Sequence, residues 1–257
     1  MKKIVFLFLI IIGFHSNAQT KKPVYKSGEW LKYRMHYGLV NAGYATIEIK
    51  DTIHKSKEAY HVTGNGWTSG FISLFFNVED NYETSFYKET LKPYHFKRRV
   101  NEGGHIISRD IYFDHENNTA EIENHKYNKK QTVNIGNVQD MISSFYYLRN
   151  QDIENMKSGD EIKIDMFFDA ETFDFRLKYL GSETIKTKFG KVKCHILRPM
   201  VQSGRVFEAD ESLTVWVTAD KNKIPVRIKA ELAVGSLKAD LEAFKGLANS
   251  FNIIIDN

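Results

Sequence analysis

Alternation of apolar and polar residues is the main pattern of the chain after residue 28. From Leu31 to Tyr37 every second residue is apolar or aromatic, and from Leu237 to Ala243 apolar residues alternate strictly with charged ones. This period of two is typical of half-buried strands in an antiparallel sheet. Asn41–Gly43 offers hairpin-forming residues after the first of them. Further predicted strands, bounded by Gly, Asn, Asp or Pro, are 44–50, 60–63, 83–87, 94–100, 105–113, 120–124, 131–135, 161–168, 173–180, 183–188, 192–199, 205–208, 212–218 and 224–234.

One segment, 138–149, has a different period. Its apolar residues recur at intervals of three and four, which predicts an amphipathic helix. They are Val138, Met141, Ile142, Phe145 and Leu148. Asn137 fits the N-cap position, which places Asp140 in the first turn near the positive end of the helix dipole. The fold class predicted from both patterns is mainly β, a large antiparallel meandering sheet that forms a half-open barrel or a sandwich, with one inserted helix.

The first residues have the pattern of a secretory leader. Lys2 and Lys3 precede the apolar run Ile4–Ile12, and the small residues Ser16 and Ala18 fit a cleavage site. We therefore expect a signal peptide at 1–18, export through the Sec pathway, and a periplasmic or extracellular destination. Residues 19–257 are predicted to form a single domain, with a subdivision near residue 150 as the alternative. No later run is apolar enough to cross a membrane, so no transmembrane segment is expected in the mature chain.

Charge and cysteine content narrow the classes further. The formal charge of +4 falls to +2 when Lys2 and Lys3 leave with the leader. This balance argues against binding to nucleic acid or attraction to an anionic membrane surface. Cys194 is the only cysteine and cannot form an internal disulfide, so it is expected to be a buried packing residue.

Known catalytic and metal-binding motifs are missing from the sequence. The histidines do not have metal-ligand spacing, and nucleophile and phosphate-loop motifs do not occur. The tripeptide Gly64–Gly66 before Trp67 is interpreted as a turn rather than a phosphate cradle. The sequence therefore predicts no catalytic residue, no metal ligand and no cofactor.

Two groups of residues keep a carbohydrate-active enzyme open as the alternative function. In "FFDAETFDF" the carboxylates of Asp169, Glu171 and Asp174 would suit glycoside hydrolysis, although a charged turn between strands is the favoured interpretation. A polysaccharide lyase could use tyrosine, histidine and arginine from one sheet face. The residues available are Tyr94, His95, Arg98 and Arg99, and neighbouring residues of a strand point to opposite faces.

The segment Gly64–Asp80 is unusually rich in aromatic and apolar residues. One interpretation is a buried strand or a helical turn packed on the sheet, and the other is an apolar lid over a cavity between sheet and helix. The second predicts a site in the concavity formed by the sheet, the helix 138–149 and the segment 67–76. The predicted ligand-binding residues are Trp67, Phe71, Phe75, Phe76, Tyr147 and Arg149.

Four stretches carry a resemblance to a known family. They are "GEWLKYRMHYGLVNAGYATIEI" at 28–49, "DMISSFYYLR" at 140–149, "KFGKVKCHILRP" at 188–199 and "VWVTADKNKIPVRIKAELAVGSLKADL" at 215–241. The chain resembles an exported bacterial family of unknown function, of the kind found in secreted proteins of Bacteroidetes. It is more distantly similar to periplasmic lipoprotein carriers of the LolA/LolB type, whose half-open barrel is covered by helices and holds acyl chains.

These observations predict an exported envelope protein that binds an apolar or amphiphilic ligand without catalysis, or that has an accessory role in the envelope. The partners expected are a lipid, a lipoprotein or a polysaccharide, and not nucleic acid. The sequence leaves the oligomeric state open.

Overall fold

A computed structural model of the protein describes residues 23–200, 213–232 and 234–255. Two helices and fifteen strands are present in these ranges. The helices are α1 (Ile72–Phe75) and α2 (Met141–Arg149). The strands are β1 (Trp30–Tyr37), β2 (Val40–His54), β3 (Lys57–Thr68), β4 (Glu79–Tyr87), β5 (Pro93–Glu102), β6 (His105–Asp114), β7 (Thr119–Asn124), β8 (Lys129–Asn134), β9 (Val138–Gln139), β10 (Glu161–Phe168), β11 (Glu171–Thr187), β12 (Gly190–Met200), β13 (Leu213–Thr218), β14 (Pro225–Glu231) and β15 (Ser236–Lys245).

All strands belong to one open sheet in the order β8-β7-β6-β5-β4-β3-β2-β1-β15-β14-β13-β12-β11-β10-β9. Neighbouring strands are antiparallel except β9 and β10, which are parallel. The strands β1 and β15 pair along their whole length, from Trp30 with Lys245 to Tyr37 with Leu237. This pairing joins the N-terminal and C-terminal meanders. The predicted mainly β fold with a large, half-open meandering sheet is confirmed.

The sheet curves so that its two ends approach each other around α2. The Phe113 ring of β6 packs edge to face on the Phe167 ring of β10, with centroids 5.6 Å apart. Near them, the carboxylate of Asp169 accepts hydrogen bonds from Arg98 at 2.9 Å and from Arg109 at 2.8 Å. An apolar cluster and an ion-paired turn therefore hold together strands that are far apart in the sheet order.

Helix α2 lies inside this curve and begins later than the sequence predicted. Val138 and Gln139 form β9 and pair with β10, and Asp140 is the N-cap of the helix. The Asp140 carboxylate accepts from the backbone N–H groups of Ile142 and Ser143, both at 2.8 Å, and the Ser143 hydroxyl accepts from the Asp140 N–H. Three backbone N–H groups at the start of the helix are satisfied in this way, so the prediction of Asn137 as the cap was wrong.

The buried cap makes the stability of the protein depend on pH. Burial raises the pKa of Asp140 from 3.8 to about 6, although Thr84 donates to its carboxylate at 2.6 Å. Between these values the folded protein holds a proton that the unfolded chain has released, so stability falls as pH rises from about 4 to about 6. We expect Asp140→Asn to gain up to about 3 kcal/mol relative to the wild type across this window. Denaturant titrations at pH 4 and pH 6 measure this change in the free energy of unfolding. Asp174→Asn, at an exposed site, is the control. An equal pH response of the two variants would contradict the assignment of the pH dependence to Asp140.

Three local predictions also differ from the structure. The first hairpin turns at Gly38, whose φ is 54°, and not at Asn41–Gly43, which lies inside β2. Gly64–Gly66 is part of β3 and not a turn, because it pairs on one side with 45–47 of β2 and on the other with 80–82 of β4. The predicted strands 173–180 and 183–188 are one strand, β11, with a register shift between Tyr179 and Gly181. The predicted strand 205–208 lies outside the described residues.

Candidate functional site

A small apolar cavity lies between α2 and strands β11–β14, and we call it the helix cavity. Its volume is about 160 Å³. Apolar side chains form nearly all of its wall, and the basic residues Arg149 and Lys223 contribute as well. The lining residues are Phe145, Leu148, Arg149, Ile153, Phe175, Leu177, Leu197, Pro199, Val215, Val217, Lys223, Pro225 and Ile228.

The alternation of side chains along the strands and the helical spacing of three and four residues explain which residues line the helix cavity. Along each of β11, β12 and β13 the lining residues are two apart, because alternate side chains of a strand face the same side. Val215 and Val217 show this on β13, whereas Trp216 between them turns outward and donates to Glu183. On α2 the lining residues Phe145, Leu148 and Arg149 are three and four apart, which is the spacing of one helix face.

The guanidinium of Arg149 is fully engaged inside the protein. It donates to both carboxylate oxygens of Glu29, at 2.6 and 2.8 Å, and to the backbone carbonyl of Asn222 at 2.9 Å. Glu29 is completely buried and Arg149 is 3% exposed. Burial alone would lower the pKa of Arg149, but the charge and hydrogen bonds of Glu29 outweigh it and raise the pKa above its ordinary value. Arg149 therefore supports the wall of the helix cavity and keeps its charge paired with Glu29.

Lys223, the other basic residue of the cavity, is also engaged. Its ammonium donates to the backbone carbonyl of Gln151 at 2.6 Å. With both cations bound to groups of the protein itself, the interior surface that the cavity offers to a ligand is hydrocarbon. The helix cavity can therefore exclude water and hold an apolar group, and it has no arrangement of acid, base and nucleophile within its lining.

The six predicted ligand-binding residues lie in four different places. Only Arg149 lines the helix cavity. Tyr147 faces another side of α2 and lines a second cavity of about 210 Å³ with Gln139 and Lys163. Trp67 borders a groove of about 490 Å³ on strands β3–β6. Phe71, Phe75 and Phe76 belong to the segment between β3 and β4, where all three are exposed.

Sequence reasoning missed most of the helix cavity. Phe145 and Leu148 were identified as part of the apolar face of the helix, and that periodicity was the available signal for a site there. The strand residues had no such signal, because Leu177, Leu197 and Val217 look like ordinary inward-facing positions of three separate strands. Only the curvature of the sheet brings them together under α2.

The carboxylates of the predicted hydrolase site have structural partners. Asp169 and Ala170 form a two-residue turn with positive φ between β10 and β11, and Asp169 binds Arg98 and Arg109. Asp174 accepts from the Nε of Arg176 at 2.8 Å. The charged turn, which was the favoured interpretation of this segment, accounts for these contacts.

The residues considered for a lyase divide between two faces of the sheet. His95 and Arg99 both bind the carboxylate of Asp110 on the outer face, His95 at 2.9 Å. Arg98 points to the inner face, where it lies over the ring of Phe168.

Cys194 is buried, and burial raises the pKa of its thiol to about 12, which leaves it protonated and unreactive at neutral pH.

Among residues 23–200, 213–232 and 234–255, no helix is long and apolar enough to span a membrane. The same ranges contain no cluster of three or more His, Cys, Asp or Glu side chains suited to a metal ion.

An open, curved sheet around a buried helix, with an apolar cavity beside that helix, defines a β-barrel-like protein. The fold is similar to that of a solved structure, the β-barrel-like protein of the DUF1849 family from Brucella abortus, with a TM-score of 0.58 and 11% sequence identity, covering 86% of this chain and 98% of that chain. At this identity the likeness shows the fold alone. The chain itself belongs to the family described as protein of unknown function (DUF3108), whose model matches residues 32–242.

Other comparisons add little to this assignment. A candidate lipoprotein from Parabacteroides distasonis has a TM-score of 0.37 and 13% identity, covering 87% of this chain and 97% of that chain. A candidate exported protein with a YmcC-like fold from Bacteroides fragilis has a TM-score of 0.36 and 7% identity, with the same coverage of 87% and 97%. Both scores are too low to support an inference. No curated protein matches the chain. The resemblance to a family of unknown function is confirmed, and the likeness to LolA/LolB carriers stays a prediction.

Proposed function

We propose that the protein is a non-catalytic binding protein of the cell envelope whose helix cavity takes the apolar part of a lipid or another amphiphile. The observation that carries this proposal is the hydrocarbon lining of the cavity, in which both basic residues are bound by other groups of the protein. A cavity of similar volume with such a lining stays dry and binds benzene in a well-studied engineered case. Filling it with hydrocarbon removes apolar surface from water without breaking a hydrogen bond.

The size of the cavity limits the ligand that it can take. At about 160 Å³ it is smaller than the roughly 300–1,000 Å³ that enclose a drug-sized molecule. An acyl chain would therefore place only one segment inside, and its polar part would stay outside the lining.

The leader pattern of residues 1–18, which precede the described residues, is the basis for proposing export. Export in turn supports a lipid or lipoprotein ligand. An exported protein works between or beside membranes, where amphiphiles are available. An accessory role in an envelope complex is compatible with the same cavity. The carbohydrate-active alternative gains no support from the described contacts, because Asp169, Asp174, His95 and Arg99 are occupied by charged partners of the protein itself.

Native mass spectrometry of the protein, purified as the cell processes it, tests the proposal. We expect an adduct with the mass of one amphiphile, which organic extraction releases and which a fluorescent fatty acid replaces at a stoichiometry of one. The denatured protein serves as the control for non-specific carry-over. A protein that is empty by mass and does not bind the fluorescent fatty acid would show that the cavity is only a packing defect.

A further inference from the structure

One end of the curved sheet collects six hairpin turns of the described residues. In an antiparallel meander every second turn falls at the same end, so the turns β1–β2, β3–β4, β5–β6 and β7–β8 lie together. The pairing of β15 with β1 adds the turn β14–β15 to the same end, and the antiparallel run from β14 back to β10 adds the turn β10–β11. We call the tips of these six hairpins the rim; the charge of its β10–β11 tip, at Asp169, is paired with Arg98 and Arg109.

The rim concentrates exposed apolar side chains. Leu39, Phe71, Leu74, Phe75, Tyr127 and Val234 lie on four of its hairpins, and each is between 62% and 104% exposed. The turns at the opposite end of the sheet are mostly polar, as in Lys55-Ser56 and in His115–Asn118. On the tip between β3 and β4 the exposed rings of Phe71 and Phe75 lie against each other, with centroids 4.7 Å apart, and exposed apolar side chains grouped in this way mark an interaction surface.

The longest tip of the rim is held outward by its neighbours. Residues 69–77, "SGFISLFFN", contain no charged side chain. The Ser69 N–H donates to the Ala42 carbonyl at 3.1 Å, and the Gly103 N–H donates to the Asn77 carbonyl at 2.8 Å. The Phe76 ring packs so closely on Gly103 that a side chain there would approach it to 2.7 Å. Leu74 and Phe75 therefore project from an anchored loop and do not fold back over the helix cavity.

We propose that the rim docks on a lipid surface and inserts its apolar tips among the acyl chains. A protein partner would need one continuous complementary face, whereas a bilayer accepts separate protrusions along a common plane. The uncharged tip 69–77 can enter hydrocarbon without desolvating a charge. On the β7–β8 tip, the Lys126 ammonium lies 5.4 Å from the Tyr127 ring centre, and these two residue types are common at membrane interfaces. This inference stands independently of the helix cavity.

Flotation with phosphatidylcholine vesicles tests the docking surface on the full chain, purified as the cell processes it. We expect the protein to float with the vesicles, and Leu74→Glu/Phe75→Glu to lower its partition coefficient at least about tenfold. The matched control is Ile53→Glu/Ile255→Glu, which changes two side chains of similar exposure, 75% and 76% against 78% and 73%, that lie outside the rim. Because the tip carries no charge, binding should change little between low and high salt.

Three results would overturn the proposal. They are a wild type that does not float, an equal loss in the rim variant and the control, and binding that vanishes at high salt. Sedimentation of the same variants tests whether a second copy of the chain covers the rim instead of a bilayer. If the wild type self-associates, only the rim variant is monomeric and neither binds vesicles, the rim is an interface between copies of this chain. A second variant, Leu39→Glu/Val234→Glu, changes two other tips, and its loss of partition separates docking by the whole rim from an effect of one loop.

Discussion

Replacing Glu29 with alanine is expected to lower the free energy of unfolding by about 3–5 kcal/mol. The substitution leaves the Arg149 guanidinium buried without its counter-charge. In the wild type the two residues are 120 positions apart in sequence and are joined by two hydrogen bonds. Denaturant titration measures the change. The same removal at an exposed pair, Glu242→Ala beside Lys188, is expected to cost less than about 1 kcal/mol because water solvates the remaining charge.

The double variant Glu29→Leu/Arg149→Met separates the charge from the packing. Replacing both ions with apolar side chains of similar size removes the desolvation penalty, so we expect it to recover most of the stability lost in Glu29→Ala. The Asn222 carbonyl then loses its Arg149 donor, which limits the recovery by about 1 kcal/mol. If Glu29→Ala costs no more than the surface control, the pair does not hold α2 to the start of β1.

This ion pair also changes the interpretation of Arg149. The sequence places Arg149 near the end of an amphipathic helix, beside aromatic residues, where it was predicted to bind a ligand. In the structure the rings of Tyr25, Phe145 and Tyr146 surround the guanidinium with centres 5.2–5.5 Å away, and Glu29 neutralises it. Nothing within the helix segment marks Glu29 as the partner, because its own surroundings in sequence are those of an ordinary strand entrance.

Local patterns predicted the strands and the helix because each depends on neighbours in sequence. Alternation from Leu31 to Tyr37 reproduces β1, and the helix predicted over 138–149 reproduces α2 except for its first three residues. Boundaries failed where a distant contact decides them. Val138 continues the apolar pattern of the helix, but the backbone of Val138 and Gln139 pairs with Asp165 and Met166 of β10.

The helix cavity could not be predicted for the same reason. Its lining joins α2 to strands that begin up to about eighty residues later, so its existence depends on how far the sheet curves. Part of the rim could be recognised from the sequence, because the apolar run in 71–76 is visible there. Its exposure is not visible there, because a run of this composition is equally typical of a buried strand. The meander places that run at a turn and leaves it in water.

Filling the helix cavity is expected to weaken ligand binding while the fold is kept. Val215 faces the cavity from β13, and Val215→Trp would occupy space that a ligand needs. Crowding of this kind costs about 1–3 kcal/mol of folding stability. Because the indole takes the space that the ligand would enter, we expect the affinity for a fluorescent fatty acid to fall at least about tenfold.

Thr214→Trp is the matched control, since it adds the same indole one residue earlier on β13, where the side chain turns away from the cavity. Both variants should float with vesicles like the wild type, because neither changes the rim. Equal affinity in Val215→Trp and Thr214→Trp would place the ligand outside the helix cavity. Loss of flotation together with loss of ligand would instead mean that the cavity and the rim act as one site, with the docked surface supplying the segment that enters between α2 and the sheet.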